Sequence, residues 1–281
     1  TNIQEGNIDH KKVFNKGVAS DVEYIKWVRD IKSAIPARFN ADSRRLFEAS
    51  GCAGKIGVFA VRTDTFPKPE RKQIFYLGTN NSRNLTILRK NILTNFKELP
   101  DMAEYLHRTI FNITEKYGKD TFLAINYLGT KNMPKFFKVK TKLEGLIDKV
   151  PILPSSLLNK ILFYLANLSS QHLPDRMIKY RDKYEHHLIL SVSNSGINEM
   201  QKYLDQEWSK CPDSGFFACT NDEGVKALLH RFAAGGAAGS YQAIHKDQVG
   251  GILALDIALR RNDEDWVDSL PKDISDNIIH P

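Results

Sequence analysis

The chain has 281 residues, of which 42% are hydrophobic and 26% charged, so it has the composition of a folded globular protein and is long enough to bury two cores. This balance excludes intrinsic disorder for most of the chain. The three cysteines, Cys52, Cys211 and Cys219, are an odd number, and none has the C-x-x-C spacing of a zinc knuckle or redox pair. We therefore expect a reducing compartment.

The formal net charge is +7, and the positive excess is concentrated in one part of the chain. Residues 131–187 contain eleven Lys/Arg and five acidic residues, a net charge of +6. The last twenty residues lean the other way, with six acidic residues and one lysine. The basic block favours an anionic partner, which the acidic end would repel.

The first half of the chain predicts two strands and two helices after a polar start. Residues 1–50 are rich in Asn, Lys and Asp and indicate a connection rather than a core element. Apolar runs with β-branched residues predict the strands, and apolar residues at helical spacing predict the helices. The predicted elements are strands at 56–61 and 72–80 and helices at 85–96 and 103–117, the last ended by Gly118.

The second half predicts an alternation of strands and helices. The predicted elements are strands at 184–193 and 215–220 and helices at 197–208, 222–234 and 252–261, with Gly235-Gly236 as the cap of the second helix. The predicted order is that of a split βαβ, ferredoxin-like α+β layer: strand, helix, insertion, strand, helix, strand, helix. The large insertion is expected in its first crossover.

Residues 131–182 form this insertion and differ from both flanks in charge and apolar pattern. After Pro154, with Ser155 or Ser156 as the cap, six apolar residues fall on one stripe of a predicted helix. They are Leu157, Leu158, Ile161, Leu162, Leu165 and Leu168. A transmembrane span is excluded, because the longest unbroken apolar run of the insertion is 161–166 and a span needs about 20 residues.

Two interpretations of the insertion remain open from the residues alone. Either the leucine stripe packs on a neighbouring element and the lysines are a solvated face, or the helix is interfacial and its lysines meet an anionic surface. Each Lys or Arg near an anionic leaflet contributes about 1 kcal/mol, so the excess charge is sufficient for attachment. Nucleic acid is not expected, because no binding signature is recognisable and aromatic residues such as Phe136 and Phe163 are not interleaved with Arg.

Several segments resemble one family of flavoenzymes. GCAGKIGVFAVR at 51–62, preceded by PARFNADSRRLFEAS, resembles the G-x-x-G-x-x-G strand entry that closes the FAD domain of vanillyl-alcohol-oxidase-type flavoproteins. Four further segments are similar, in the same order, to the membrane-associated, quinone-dependent respiratory D-lactate dehydrogenases. They are MPKFF at 133–137, RDKYEHHLIL at 181–190, LHRFAAGGAA at 229–238 and ILALDIALRRND at 252–263.

This resemblance implies an α+β enzyme of three parts that oxidises D-lactate to pyruvate on FAD and passes electrons to a membrane quinone. The implied parts are the C-terminal edge of a vanillyl-alcohol-oxidase-type FAD domain at 1–65, a ferredoxin-like cap at 66–130 and 183–281, and a basic helical membrane-binding insertion at 131–182. We expect the family's N-terminal flavin-binding half and final segment to lie outside this chain. The chain alone is then expected to be inactive.

The resemblance also implies partners and a location. D-Lactate, quinone and an anionic phospholipid surface are the implied partners, and the enzyme is peripheral at the cytoplasmic face of the inner (plasma) membrane. Because the family's basic region contacts phospholipid headgroups, the interfacial interpretation is favoured. The alternative function is a non-catalytic ferredoxin-like module that binds a polyanion, either anionic lipid or nucleic acid.

One contact with FAD is implied at Val58, on the strand that follows Gly57. An extended backbone there offers N–H and C=O groups to the flavin nucleotide, and Gly54 and Gly57, together with Gly51, allow a close approach. Without the resemblance, Val58 is interpreted as a buried strand residue.

D-Lactate oxidation needs a cation for the carboxylate and a base for the hydroxyl proton, besides a flavin that accepts hydride. His186 and His187 are the candidate bases, and strand alternation predicts Tyr184 and His186 on one face and His187 on the other. Arg181 and Arg231 are the candidate cations. Each also has a structural interpretation, as a hydrogen-bonding histidine or a packed, ion-paired arginine. No metal site is expected, because adjacent histidines point apart and no carboxylate motif accompanies them.

Overall fold

The computed structural model describes residues 24–36, 68–147, 149, 150, 152, 154, 157–252 and 259–269. In this part the chain folds into a four-stranded sheet with helices on both faces. The elements in chain order are α1 Tyr24–Arg29, β1 Lys72–Thr79, α2 Ser82–Asn95, β2 Met102–His107, α3 Arg108–Tyr117, α4 Lys119–Leu128, α5 Met133–Ile147, α6 Leu157–Asn167, α7 Asp175–Lys183, β3 His186–Ser193, α8 Gly196–Gln206, β4 Ser214–Ala218, α9 Asn221–Ile244 and α10 Trp266–Ser269.

The sheet is antiparallel and has the strand order β2-β3-β1-β4. Its central strands pair over their whole length, from Lys72 opposite Ser193 to Thr79 opposite His186. Strands β2 and β4 form the two edges. The architecture is therefore mixed α/β, with the antiparallel sheet as the middle layer.

Each face of the sheet carries its own hydrophobic core, because successive strand residues point to opposite sides. Phe75 and Leu190 pack against α2 and α8 on one face. Tyr76 and Ile189 pack against α3, α4, α7 and α9 on the other. The two central strands are thus buried on both sides, and polar groups collect at the β2 edge and on the helices.

The sequence predicts a single helix at 103–117, and this is wrong in its first part. Met102–His107 forms β2 by pairing with β3, and α3 starts only at Arg108. His107 ends the strand and caps the helix, since its Nδ1 accepts a hydrogen bond from the Thr109 backbone N–H at 3.2 Å. Pairing with a central strand therefore overrides a segment whose apolar spacing is compatible with a helix.

The helical insertion lies between β2 and β3, not in the first crossover as predicted. Because β2 is a strand, α2 alone connects β1 to β2, and helices α3 to α7 occupy residues 108–183. The predicted helix after Pro154 is confirmed and starts at Leu157, while Ser155 and Ser156 lie outside the described residues. Since β2 and β3 are neighbours, the insertion leaves and re-enters the sheet at one edge without interrupting it.

The predicted end of the helix at 222–234 also differs from the structure. Gly235-Gly236 does not cap a helix, because α9 continues through both glycines to Ile244 while buried Ala233 and Ala237 keep it packed on its neighbours.

The helix predicted at 252–261 lies mainly outside the described residues, which resume at Leu259. Its predicted end is not helical, since Arg260 forms an antiparallel β-bridge with Pro36. The bridge ties the residues before α10 to the segment that follows α1.

Candidate functional site

The predicted base His186 lies at the start of β3, beside the edge strand β2. Its Nδ1 is 2.9 Å from the Tyr105 hydroxyl, and its ring stands edge-on to the His107 ring at 5.6 Å. Only 7% of His186 is exposed. Burial lowers its pKa, and the Glu185 carboxylate opposes this shift only in part. The ring is therefore neutral at pH 7 and able to accept a proton.

A histidine and a carboxylate complete the polar groups at this edge. His107 Nε2 lies 3.1 Å from Glu185 Oε1. Because His107 Nδ1 accepts the Thr109 N–H, the ring proton is on Nε2 and is donated to Glu185. Tyr105, His107, Glu185 and His186 are together termed the edge-strand cluster below.

Helix α10 covers one side of the edge-strand cluster. The Trp266 ring stands edge-on to the Tyr105 ring at 5.6 Å, and Asp268 accepts a 2.6 Å hydrogen bond from the Ser82 hydroxyl of α2. Burial raises the pKa of Tyr105, and the nearby Glu185 raises it further. Tyr105 is therefore a protonated hydrogen-bond partner that orients His186.

The other predicted base, His187, points to the opposite face and is fully buried. Its ring lies 5.8 Å from Tyr76 and 5.5 Å from Phe111, and neither ring nitrogen has a hydrogen-bond partner among the described residues. Burial lowers its pKa to about 3, with the nearby His186 as a further cause. His187 is thus a neutral core residue without access to a substrate in this structure.

Tyr184 does not share a face with His186, contrary to the prediction from alternation. It precedes β3 and ends α7, where its backbone N–H donates to Tyr180 O at 2.8 Å. Its ring covers Gly78 so closely that a Cβ there would lie 2.2 Å from the ring. Gly78 is paired with His187, so Tyr184 lies on the face of His187.

The two predicted cations are both ion-paired, and neither lies beside His186. Arg181 of α7 pairs with Glu115 of α3 and with its neighbour Asp182. Arg231 of α9 pairs with Glu104 at 2.9 Å and is half-exposed. Since Glu104 and Tyr105 alternate along β2, Arg231 is on the α9 side of the strand and His186 on the other.

A different arginine lies near the candidate base. Arg108, the first residue of α3, is close enough that its charge contributes to the lowered pKa of both His186 and His187, although burial is the main cause in each. In the part of the chain that the structure describes, its guanidinium forms no ion pair, and only its backbone N–H is bound, to Glu185 O at 2.8 Å. Arg108 was not among the predicted site residues.

Tyr105, His107 and Arg108 were missed because 103–117 was interpreted as one helix. A strand places 105 and 107 on one face beside β3, whereas a helix scatters them. The segment Met102–His107 shows no strict apolar–polar alternation, so the Pro100 break before it is the main sequence signal of a separate element.

Helices α5 and α6 form a surface with many exposed apolar side chains. Leu165 is 59% exposed and Leu168 83%. The buried side of α6 is instead Phe163, which stacks on Tyr117 at 5.2 Å, with Ala166. The other large exposed apolar residues of the two helices are Phe137, Val139, Leu143, Leu146, Ile161 and Tyr164. Half of the predicted leucine stripe is therefore exposed, namely Ile161, Leu165 and Leu168.

The same surface carries unpaired positive charge. Lys131, Lys135, Lys138, Lys142 and Lys149 are exposed, and none forms an ion pair with a described residue. Exposed leucines beside free lysines are the pattern of a helix that lies at a membrane interface. None of the described helices is both long and apolar enough to cross a bilayer.

A cleft of about 1010 Å³ opens on the α9 side of β2, near this surface. Residues of β2, α3, α4, α5, α6 and α9 line it, including Arg231, Asp120 and Lys140. The positions with an implied FAD contact, Gly54, Gly57 and Val58, lie outside the described residues, as does the strand predicted at 56–61.

The chain is thus a mixed α/β protein with a surface suited to membrane contact. The antiparallel sheet carries the edge-strand cluster, and α5 and α6 carry the exposed lysines and apolar side chains. The family described as "D-lactate dehydrogenase, membrane binding" matches residues 74–281, and the chain belongs to this family. The resemblance to the membrane-associated D-lactate dehydrogenases found in the sequence is thereby confirmed.

Three relatives are each named quinone-dependent D-lactate dehydrogenase. The protein of Escherichia coli (strain K12) is 50% identical over 262 residues, which cover 93% of this chain and 46% of the relative. The protein of Haemophilus influenzae is 44% identical over 280 residues, which cover 99% of this chain and 50% of the relative. The protein of Corynebacterium glutamicum is 39% identical over 261 residues, which cover 92% of this chain and 46% of the relative. The chain thus spans about half the length of these relatives.

Proposed function

We propose that the chain is part of an FAD-dependent dehydrogenase that oxidises D-lactate to pyruvate and reduces a membrane quinone. The names of the three relatives support the reaction, and the matched family supports membrane binding. The structural observation that carries the proposal is the exposed leucine and lysine surface of α5 and α6, because a quinone acceptor requires an enzyme that reaches the bilayer.

In this proposal the sheet is a ferredoxin-like cap, at 66–130 and 183–281. The strand order β2-β3-β1-β4, with α2 and α8 as the crossover helices on one face, supports this assignment. Residues 131–182 are the membrane-binding insertion, and residues 1–65 form the edge of a vanillyl-alcohol-oxidase-type FAD domain.

Within the cap we propose His186 as the base that accepts the hydroxyl proton of D-lactate. In this proposal His186 Nδ1–H donates to the Tyr105 oxygen, 2.9 Å away, which leaves the Nε2 lone pair for the substrate proton. The lowered pKa of His186, caused by burial, keeps this lone pair available at neutral pH. Bound FAD would supply the acceptor for the hydride that leaves the carbon bearing this hydroxyl.

Arg108 is proposed as the cation that holds the lactate carboxylate. It follows His107, whose ring lies 5.6 Å from that of His186, and it forms no ion pair within the described residues, whereas Arg181 and Arg231 are paired with Glu115 and Glu104. A guanidinium binds a carboxylate through two parallel hydrogen bonds, which orients the substrate.

The membrane surface is proposed to bind anionic phospholipid at the cytoplasmic face of the inner membrane, with the enzyme peripheral. Anionic lipids attract exposed lysines at about 1 kcal/mol for each charge, and the exposed leucines add apolar contact. The alternative of a non-catalytic polyanion-binding module is not favoured, since the relatives that cover nearly all of this chain are named as dehydrogenases.

The test uses the complete purified enzyme that contains this chain. We expect the absorption spectrum of bound flavin, and quinone reduction in anionic vesicles that depends on D-lactate and is much slower with L-lactate. A conservative Arg108→Lys variant should raise the KM for D-lactate more than it lowers kcat, because Lys keeps the charge and loses the paired hydrogen bonds. Absence of D-lactate oxidation with any acceptor contradicts the proposed reaction.

A further inference from the structure

The cleft on the α9 side of β2 is large enough for an organic ligand and is walled by polar and apolar groups. Its volume is about 1010 Å³, at the upper end of the range typical of small-molecule sites. It follows α9 from Arg231 to Gly239, nine residues whose helical rise is about 12 Å. A ligand lying along α9 would therefore be longer than a small hydroxy acid.

Glycines of α9 create the space in this cleft. A Cβ on Gly235 or Gly239 would meet no atom within 4 Å, so neither glycine is required by packing. Gly236 is different, because a Cβ there would lie 2.7 Å from Thr121 Oγ1 of α4. A glycine inside a helix lowers helix stability by about 1 kcal/mol relative to alanine. Gly235 and Gly239 pack on nothing, and they leave a strip of helix without side chains on which a flat group can lie.

Polar side chains of three other helices also line this cleft. Lys140 of α5, Asp120 of α4 and Asn159 of α6 all line the cleft. Burial raises the pKa of the Asp120 carboxyl, and the charge of Lys140 opposes that rise, which indicates that the two groups are near each other. An ammonium group and an amide are suitable hydrogen-bond donors for carbonyl oxygens.

The cleft is also connected with the membrane surface. Phe137 of α5 lines the cleft and is 45% exposed, and the exposed residues Val139 and Leu143 follow it on the same helix. An apolar chain that leaves the cleft past Phe137 therefore reaches α5, one of the two helices that carry the exposed apolar residues.

We propose that this cleft binds the ring of a membrane quinone, with the isoprenoid tail leaving past Phe137 toward the bilayer. A flat ring with two carbonyl oxygens suits a cleft lined by the glycine strip and by the donors Lys140 and Asn159, and its apolar tail suits the exit past Phe137. Lactate would fill little of this volume and has no tail. The inference rests on the proposed function in one respect, namely that the electron acceptor is a quinone.

The first experiment fills the cleft by Gly239→Leu in the complete enzyme, with Gly145→Leu as the matched control. Gly145 is also a helical glycine with open space around it, but it does not line the cleft. We expect Gly239→Leu to lower kcat/KM for decylubiquinone by about tenfold or more, the effect of a few misplaced methylenes in a pocket. Reduction of a water-soluble dye, and the KM for D-lactate in that assay, should not change.

Two kinetic results would overturn the proposal. One is unchanged decylubiquinone kinetics in both Gly239→Leu and Gly235→Leu. The other is a raised KM for D-lactate in the dye assay, which would identify the cleft as the hydroxy-acid site. If the unaltered enzyme does not oxidise D-lactate with the dye, the proposed function fails, and photolabelling decides on the cleft separately.

For that measurement an azidoquinone is photolysed with the enzyme on vesicles, and labelled peptides are mapped by mass spectrometry. Label in the peptides of α5 and α9 that is displaced by decylubiquinone supports the assignment. Label found only in peptides that do not line the cleft overturns it. The readout requires no turnover, so it also decides the case in which a leucine variant fails to fold.

Discussion

The Tyr105 hydroxyl lies 2.9 Å from Nδ1 of His186, and this contact joins the edge strand to the central strand beside it. Both side chains point to the face away from α9, where Trp266 covers the tyrosine ring. A histidine with one ring nitrogen hydrogen-bonded to a neutral phenol has a defined ring orientation. The contact therefore supports the proposal that His186, rather than its neighbour, is the base.

We predict that His186→Gln lowers kcat for D-lactate oxidation by about 100-fold or more, the usual contribution of a positioned base. His187→Leu is the matched control one residue away, and we expect its kcat to stay within a few-fold of the unaltered enzyme. The measurement is steady-state dye reduction by the complete enzyme. Equal losses in the two variants would contradict the assignment of His186, because a buried core residue would then matter as much as the proposed base.

Stability should fall as the pH falls below neutrality, and buried histidines are one cause. Burial lowers the pKa of His187 and His230 to about 3, far below the value of 6.5 for an exposed histidine. Both are neutral in the folded chain, so the unfolded chain takes up protons first as the pH falls through 6.5. The contribution of the two neutral histidines to the free energy of unfolding is complete above pH 6.5. It is lost as the pH falls toward 3, by up to about 1.4 kcal/mol per pH unit for each residue.

We therefore predict that His230→Leu makes unfolding less dependent on pH between pH 6 and 4.5. The His230 ring is buried 4.3 Å from the Phe111 ring with both nitrogens unpaired, so a leucine also removes two unsatisfied polar atoms. Urea unfolding at several pH values measures the slope for both proteins. Identical slopes would show that His230 is not protonated on unfolding in this range.

Reversing the charge of the membrane surface should release the enzyme from anionic vesicles. The variant changes four exposed, unpaired lysines to glutamate, Lys131, Lys135, Lys138 and Lys142. We expect a loss of at least about 100-fold in partitioning, since each lysine contributes about 1 kcal/mol near an anionic leaflet.

A control variant with the same net charge changes four exposed lysines elsewhere, Lys68, Lys72, Lys97 and Lys202. It should keep most of the vesicle binding, and binding of the unaltered enzyme should weaken as salt is added. Vesicle flotation measures all three. If both quadruple variants lose binding equally, the attraction depends on total charge and the surface has no special role.

Exposed and buried residues of α6 should respond in opposite ways to substitution. Leu165→Asn with Leu168→Asn should weaken vesicle binding without lowering the melting temperature, because both leucines are exposed in this structure. Phe163→Ala should cost about 3 kcal/mol or more, since the ring is only 7% exposed and stacks on Tyr117. Thermal melts and flotation measure the two effects. A large loss of stability in the leucine variant would show that these residues are packed.

Much of the sheet was predictable because its strands and helices have strong local patterns. The strand at 72–80 and the helix at 85–96 are found within two or three residues of their predicted bounds, as β1 and α2. The segment 103–117 was not predictable in this way, because its apolar spacing suits a helix and only pairing with β3 makes 102–107 a strand. That one error moved the insertion by a full element.

The candidate site was predictable only in part. His186 and His187 were identified as a pair of candidates, and alternation placed them on opposite faces, as found. Arg231 and Arg181 were chosen from their local context, whereas Arg108 stands out only once β2 and β3 are adjacent. Ion pairing is a long-range property, so the sequence does not reveal which arginine is already neutralised by a glutamate.

By itself the sequence determined the family, the mixed composition of strands and helices, and the concentration of positive charge in the insertion. Those properties depend on residue identity and short-range spacing, which folding does not change. Only the tertiary structure decided that Leu165 and Leu168 face outward while Phe163 faces inward. It also decided that His186, rather than His187, shares a face of the sheet with Tyr105. An amphipathic stripe and a strand parity each have two possible orientations, and only contacts with distant residues select one of them.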